Sequence, residues 1–255
     1  MKVLFDHLCF NQKFGGVPRY FVELIKRLSI EEVILTVRFS NNEYLKELSV
    51  EKLHSFLSGF DFRGKPRLER EFGKLYSIPF LLKNSFDIYH QTHYDLYAFK
   101  YLGNNIKTVT TIHDMNYWTI PEYYTNNNNK KKRKQIASAK KSDHIITVSN
   151  NSKNDICKYW DIPEDKITVI YHGINTSQYS SISPFKSSNP YILFVGSRNK
   201  YKNFENVVRS FSKLKKIHPD LYLYCVGSPV SSQEINLLNH FSILDSVMFF
   251  QASNQ

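Results

Sequence analysis

Three cations crowd one short turn late in the chain. Arg198, Lys200 and Lys202 lie between an apolar run, Tyr191 to Val195, and a segment where Phe204, Val207, Val208 and Phe211 recur at helical spacing. The run reads as a strand buried on both faces, with Gly196 at its end. The segment from Asn203 to Lys215 reads as a helix. Helix N-termini carry unpaired N–H groups and a partial positive charge. Cations placed there raise the electrostatic energy, and a bound anion would offset it. Phosphate fits best, because an arginine can grip two of its oxygens at once. A solvated turn in a lysine-rich protein would look the same, and composition alone leaves both readings open.

Histidines form a second set. His90, in the tetrad His90-Gln91-Thr92-His93, closes a strand read at Phe86 to Tyr89. His113 and Asp114 follow a strand at Val109 to Ile112, and His172 and Gly173 follow one at Ile167 to Tyr171. Ligands of open α/β sheets bind at the C-terminal ends of the strands. A lone histidine is ordinarily structural, but two histidine turns on one sheet edge point towards chemistry. Gly15 and Gly16 follow a strand at Val3 to Phe5. They precede a helical stripe, Val17, Phe21, Leu24, Ile25 and Leu28, with Pro18 read at the first helical position. They do not spell the dinucleotide pattern GxGxxG. They either let a ligand approach the backbone or form a flexible turn.

The elements that must hold these residues alternate strand and helix. A second strand reads at Val33 to Phe39, and Asn41 to Leu81 reads as mostly helical, with the basic residues of Arg63 to Arg70 on a solvated face. His144 to Val148 is another strand, followed by a helix capped by Ser149 or Ser152. Thr125 to Arg133, TNNNNKKKR, reads as a mobile loop, and Lys130 to Lys134 as a solvated basic run or a lipid contact. Thr176 to Pro190 is rich in Ser, Asn and Pro, the signal of a linker. After the cationic turn come a strand at Leu221 to Val226, a helix at Ser232 to Phe241 and a strand at Val247 to Phe250.

The chain has 255 residues, 42% hydrophobic and 22% charged, and a formal net charge of +11. That is a globular composition with attraction to anionic partners. Cys9, Cys157 and Cys225 form no metal or disulfide pattern. No apolar run approaches a membrane span. A cytoplasmic, reducing location is expected. No aromatic RNA-binding pattern accompanies the basic run, so nucleic acid is not an expected partner.

Five stretches now fall into an order: GGVPRY at 15–20, TIHD at 111–114, IITVSNNSKNDI at 145–156, ITVIYHGIN at 167–175 and FVGSRNKYKNFENVVRSF at 194–211. In that order they resemble the retaining GT-B glycosyltransferases of family 4, the glycosyl transferases group 1 class. The resemblance implies an α/β protein with two Rossmann-like domains of parallel sheets. Residues 1–175 would form the acceptor-binding domain, 176–190 a linker, and 191–255 part of the nucleotide-sugar domain. It implies that Arg198 and Lys202 hold the donor diphosphate with Gly16 near by, and that His113 lies near the transferred sugar. Gly15, Arg19, His90, Asp114 and Gly173 would line the acceptor site or the cleft. The implied partners are a nucleotide-sugar and a glycan or lipid-linked glycan, with peripheral contact to an anionic membrane. The sequence has no DxD motif, so a metal-independent mechanism without cofactor is expected. The family's acidic E-x7-E pair has no counterpart up to Gln255. The second domain is therefore expected to be incomplete, and the alternative reading is an inactive remnant or a non-catalytic subunit.

Overall fold

The computed structural model describes residues 1–48, 60, 62–124, 129–174, 186–198 and 200–251. They form two compact units, Met1–Gly173 and Ile174–Gln255. The linker expected at 176–190 lies mostly outside the described residues.

The first unit is built on six parallel strands: β1 (Val3–Phe5), β2 (Val33–Leu35), β3 (Ile88–Gln91), β4 (Lys107–Ile112), β5 (His144–Thr147) and β6 (Ile167–Val169). Their order is β2-β1-β3-β4-β5-β6. In register, Val3, Leu4 and Phe5 pair with Ile88, Tyr89 and His90 on one side and with Val33 to Leu35 on the other. The chain leaves β1 in one direction to make β2 and returns on the other side to make β3. The switch point, where ligands of such sheets bind, therefore lies beyond the C-terminal ends of β1 and β3.

Among the described residues five α-helices connect the strands: α1 (Gly16–Ile25), α2 (Lys65–Lys83), α3 (Asn116–Thr119), α4 (Asn129–Lys141) and α5 (Asn150–Trp160). The stripe of α1 buries Phe21, Val22 and Ile25 beside Phe5 and Phe10. Around β4 and β5, Ile112, Ile145, Ile156 and Trp160 form a further apolar cluster.

Several expectations shift. Pro18 occupies the third position of α1, not the first. The second strand is three residues long. Of the loop expected at 125–133, residues 125–128 lie outside the described residues, but α4 begins at Asn129, so Lys130 to Arg133 are helical. Ser149, not Ser152, caps α5: its hydroxyl accepts the Ser152 N–H.

The second unit runs β7 (Tyr191–Val195), α6 (Phe204–Ile217), β8 (Tyr222–Val226), α7 (Ser232–His240) and β9 (Val247–Phe250). The strands are parallel in the order β7-β8-β9. Right-handed crossovers along an unreversed order put both helices on one face. Ile192, Phe194, Leu223, Cys225 and Val247 pack there with Phe204, Val208, Phe211 and Leu238. On the other face Tyr191, Leu193, Val195, Met248 and Phe250 are exposed. The expectation that Tyr191 to Val195 is buried on both faces is therefore corrected: one face is covered and the other is open. Among the described residues no helix is long and apolar enough to cross a membrane.

Candidate functional site

In the first unit the strand ends bring histidines and aromatic rings together. The His113 ring sits 4.9 Å from Tyr20 and 6.3 Å from Phe21, both edge-on, and stacks at 6.3 Å on His172. Tyr20 also meets His172 at 5.4 Å. These groups come from α1, the end of β4 and the turn after β6, so three connections converge on one point. Burial, with His172 next, lowers the His113 pKa to about 4. The ring is neutral at pH 7, and its Nε2 is buried without a hydrogen-bond partner among the described residues. A neutral imidazole with a free nitrogen can accept or donate one hydrogen bond to a hydroxyl.

His90 behaves differently. It is buried, Nε2 lies 2.8 Å from Thr111 Oγ1, and the ring packs between Phe5 and Phe21. Burial lowers its pKa to about 3. It is a wedge that fixes β4 and α1, so its expected place lining the site is corrected to a supporting one. Arg19 is also committed elsewhere. Its guanidinium pairs with Glu23 at 2.6 Å and with Glu47, and lies over Tyr44. The structure does not bring it to the histidines. Asp114 is exposed and its carboxylate accepts the Asn116 N–H at 3.1 Å, shaping the start of α3.

Gly15 and Gly16 open α1, which has no side-chain cap. A Cβ at Gly16 would meet nothing within 4 Å, whereas one at Gly15 would come within 2.8 Å of the Gln12 side chain. A Cβ at Gly173 would also meet nothing within 4 Å.

The switch point itself is filled by the protein. Asp6, fully buried at the end of β1, accepts hydrogen bonds from Tyr89 Oη at 2.5 Å, from the Leu8 N–H at 3.2 Å and from Thr92 Oγ1. Burial outweighs these bonds and raises its pKa. Thr92 in turn accepts the Cys9 N–H at 3.1 Å, so one carboxylate ties the loops after β1 and β3.

In the second unit Arg198 is nearly sealed from solvent, with 3% of its side chain exposed. Its Nε donates to Glu234 at 2.6 Å, and one Nη donates to the carbonyls of Ser228 and Pro229 at 2.7 and 3.0 Å. The guanidinium lies over Phe249 and Phe204 at 5.1 and 5.7 Å. Its other nitrogen, Nη1, is buried with no hydrogen-bond partner among the described residues. Gly227 lies beside it: a Cβ there would overlap the Gly196 carbonyl and stand 3.7 Å from Nη1. Gly196 has φ of +116°, which favours glycine.

Lys200 to Lys202 form one short turn before α6, and Lys202 is exposed. Charge reasoning missed that Arg198 brings its own acid. Glu234 was legible: Ser231-x-x-Glu234 is a capping box, and Glu234 Oε2 accepts from both Ser231 N at 2.7 Å and Ser231 Oγ at 2.8 Å.

Residues 14–178 match the model of Glycosyltransferase Family 4, and residues 175–255 match that of Glycosyl transferases group 1. The chain belongs to glycosyltransferase family 4. Its fold is the α/β GT-B fold, with a small second sheet. The chain is similar to the O-antigen chain mannosyltransferase RfbU of Salmonella typhimurium, 35% identical over 83 residues, which are 32% of this chain and 22% of that protein. It is similar to O-antigen chain mannosyltransferase B of Escherichia coli, 24% identical over 238 residues, covering 84% of this chain and 60% of that one. A crystal structure of a glycosyltransferase from Rickettsia africae superposes with a TM-score of 0.61 at 23% identity, covering 99% of this chain and 69% of that one. The chain thus spans less than two thirds of the curated relatives it matches.

Proposed function

We propose that the protein is a retaining, metal-independent glycosyltransferase. It moves a sugar from a nucleotide-sugar to a polysaccharide, lipopolysaccharide or other glycan acceptor, as a peripheral enzyme at the cytoplasmic face of an anionic membrane. The mannosyltransferase relatives support this substrate class. In this reading the bond between sugar C1 and the diphosphate breaks while a bond from the acceptor oxygen to C1 forms on the same face, and the acceptor's hydroxyl proton passes to the departing diphosphate oxygen. The departing diphosphate gains charge, and a preorganised cation lowers that barrier.

The observation that carries the reading is Arg198. Glu234, Ser228 and Pro229 hold two of its three nitrogens and leave Nη1 unpaired in a buried setting. An unpaired buried charged donor is costly unless a ligand completes it. Lys202, exposed on the turn before α6, adds a point charge in the same unit. His113, neutral and with no partner for Nε2 among the described residues, orients the acceptor or the transferred sugar.

Titration calorimetry with UDP- and GDP-sugars tests this. The protein is expected to bind one of them, and Arg198→Ala to bind it at least about tenfold more weakly, since a charge-assisted bond contributes roughly 1.5–3 kcal/mol. Equal affinity in both proteins would sink the reading. Retention is read from the product anomer by NMR.

A further inference from the structure

Helix α2 is turned inside out. The face it buries is Glu69, Gly73, Ser77 and Leu81, three of them polar or without a side chain. Ser77 Oγ sits among Thr36 Oγ1 at 3.0 Å, His7 Nδ1 at 3.3 Å and the Gly73 carbonyl at 2.9 Å. The opposite face is apolar. Leu68, Leu75, Pro79 and Leu82 follow one another at seven, four and three residues, which is a single stripe on a 3.6-residue helix. All four are exposed, Leu75 at 61% and Leu82 at 59%. Phe60 and Phe62, just before the helix, are exposed too. Burial would favour the reverse orientation, so this arrangement calls for an apolar phase outside the protein.

Charge says which phase. Arg63, Arg67 and Lys83 rim the stripe, and none of them joins an ion pair among the described residues. The acid nearest the stripe, Glu71, is neutralised by Arg70 and Lys74. From Leu68 to Leu82 the ridge is about 21 Å long and about one helix, ~10 Å, wide. Its footprint of roughly 200 Å² falls far short of the ~800 Å² per partner of a stable protein interface. A bilayer surface sets no such threshold, and an apolar ridge with a cationic rim suits acyl chains under anionic headgroups.

We infer that α2 is the membrane-docking element of this protein, lying in the interface of an anionic bilayer with Leu68, Leu75 and Leu82 inserted. The inference rests on the peripheral contact proposed above and not on the donor site. A chain that binds vesicles but no nucleotide keeps the one and sinks the other.

The test is co-sedimentation of the full chain with phosphatidylcholine vesicles, with and without 30% phosphatidylglycerol. Binding is expected only with the anionic lipid, and to weaken as salt rises. Leu75→Glu with Leu82→Glu should lower the partition coefficient at least tenfold while the melting temperature holds. Arg67→Glu with Lys83→Glu, which leaves the apolar stripe intact, should also weaken binding severalfold and guards against a folding defect in the first variant. Lys131→Glu with Lys132→Glu on α4 should change little. Three results overturn the inference: binding lost through α4 but kept in the α2 variants, leucine variants that lower the melting temperature in parallel with binding, or leucine variants that change only the oligomeric state.

Discussion

Arg198 and Glu234 act as one unit. Arginine buried beneath two aromatic rings needs a counter-charge, and Glu234 supplies it while closing the N-terminus of α7. Burial pushes the Glu234 carboxyl up, but the bonds from Arg198 and Ser231 overcome it and hold the carboxyl below its usual range. Glu234→Ala therefore removes a cap and strands a buried cation. The expected cost is about 3 kcal/mol, read by urea denaturation. A loss within experimental error would mean that Arg198 relaxes into water. His90 permits a second prediction. Its folded pKa, about 3, lies below the unfolded value of 6.5. A depressed histidine contributes stability above pH 6.5 that fades as pH falls towards 3. At pH 5 the loss from His90 alone is ~2 kcal/mol. His90→Asn should flatten the fall in stability between pH 8 and pH 5 by about that amount. An unchanged slope would place the titration in other groups, such as His7, whose pKa burial also lowers, to about 4.

At the level of elements, the His7 ring lies against the backbone of α2 at Gly73, and a Cβ at that position would overlap it. Gly73→Ala should cost roughly 1–3 kcal/mol through overpacking, despite alanine's better helix propensity. A stabilised variant in thermal melts would show that the ring can move aside. The same helix shows what the sequence could and could not disclose. Strand–helix alternation, the apolar runs of β4, β5 and β8 and the stripes of α1 and α6 were legible because periodicity follows burial. The stripe of α2 obeys the same period, so its existence was legible, but period alone does not say which face meets the core. Buried Ser77 and Gly73 matter only through contacts with His7 and Thr36, which are 70 and 41 residues away from Ser77. The site divides likewise. His113 and the cationic turn stood out by position after a strand. The burial of His90, the commitment of Arg19 to Glu47 and the clamp of Asp6 on Thr92 depend on long-range pairings that no local pattern encodes.

The two compact units differ in how well each is covered. Among the described residues the first packs three apolar clusters around six strands, whereas the second has one cluster on one face of a three-stranded sheet. Stability scales at roughly 0.1 kcal/mol per residue, so the smaller unit has the thinner margin. Phe211 is fully buried at its centre, beside Phe204, Val208 and Leu238. Phe211→Ala removes roughly 3–5 kcal/mol, a large share of what so small a unit holds. The chain supplies its own reporter for where that loss falls. Both tryptophans, Trp118 and Trp160, lie in the first unit and pack together at 5.8 Å. Tryptophan fluorescence therefore follows the first unit, while far-UV circular dichroism follows both. In urea, Phe211→Ala should show an early dichroism transition with the fluorescence midpoint unmoved. If the fluorescence midpoint falls together with the dichroism, the units unfold as one body and the second borrows its stability from the first.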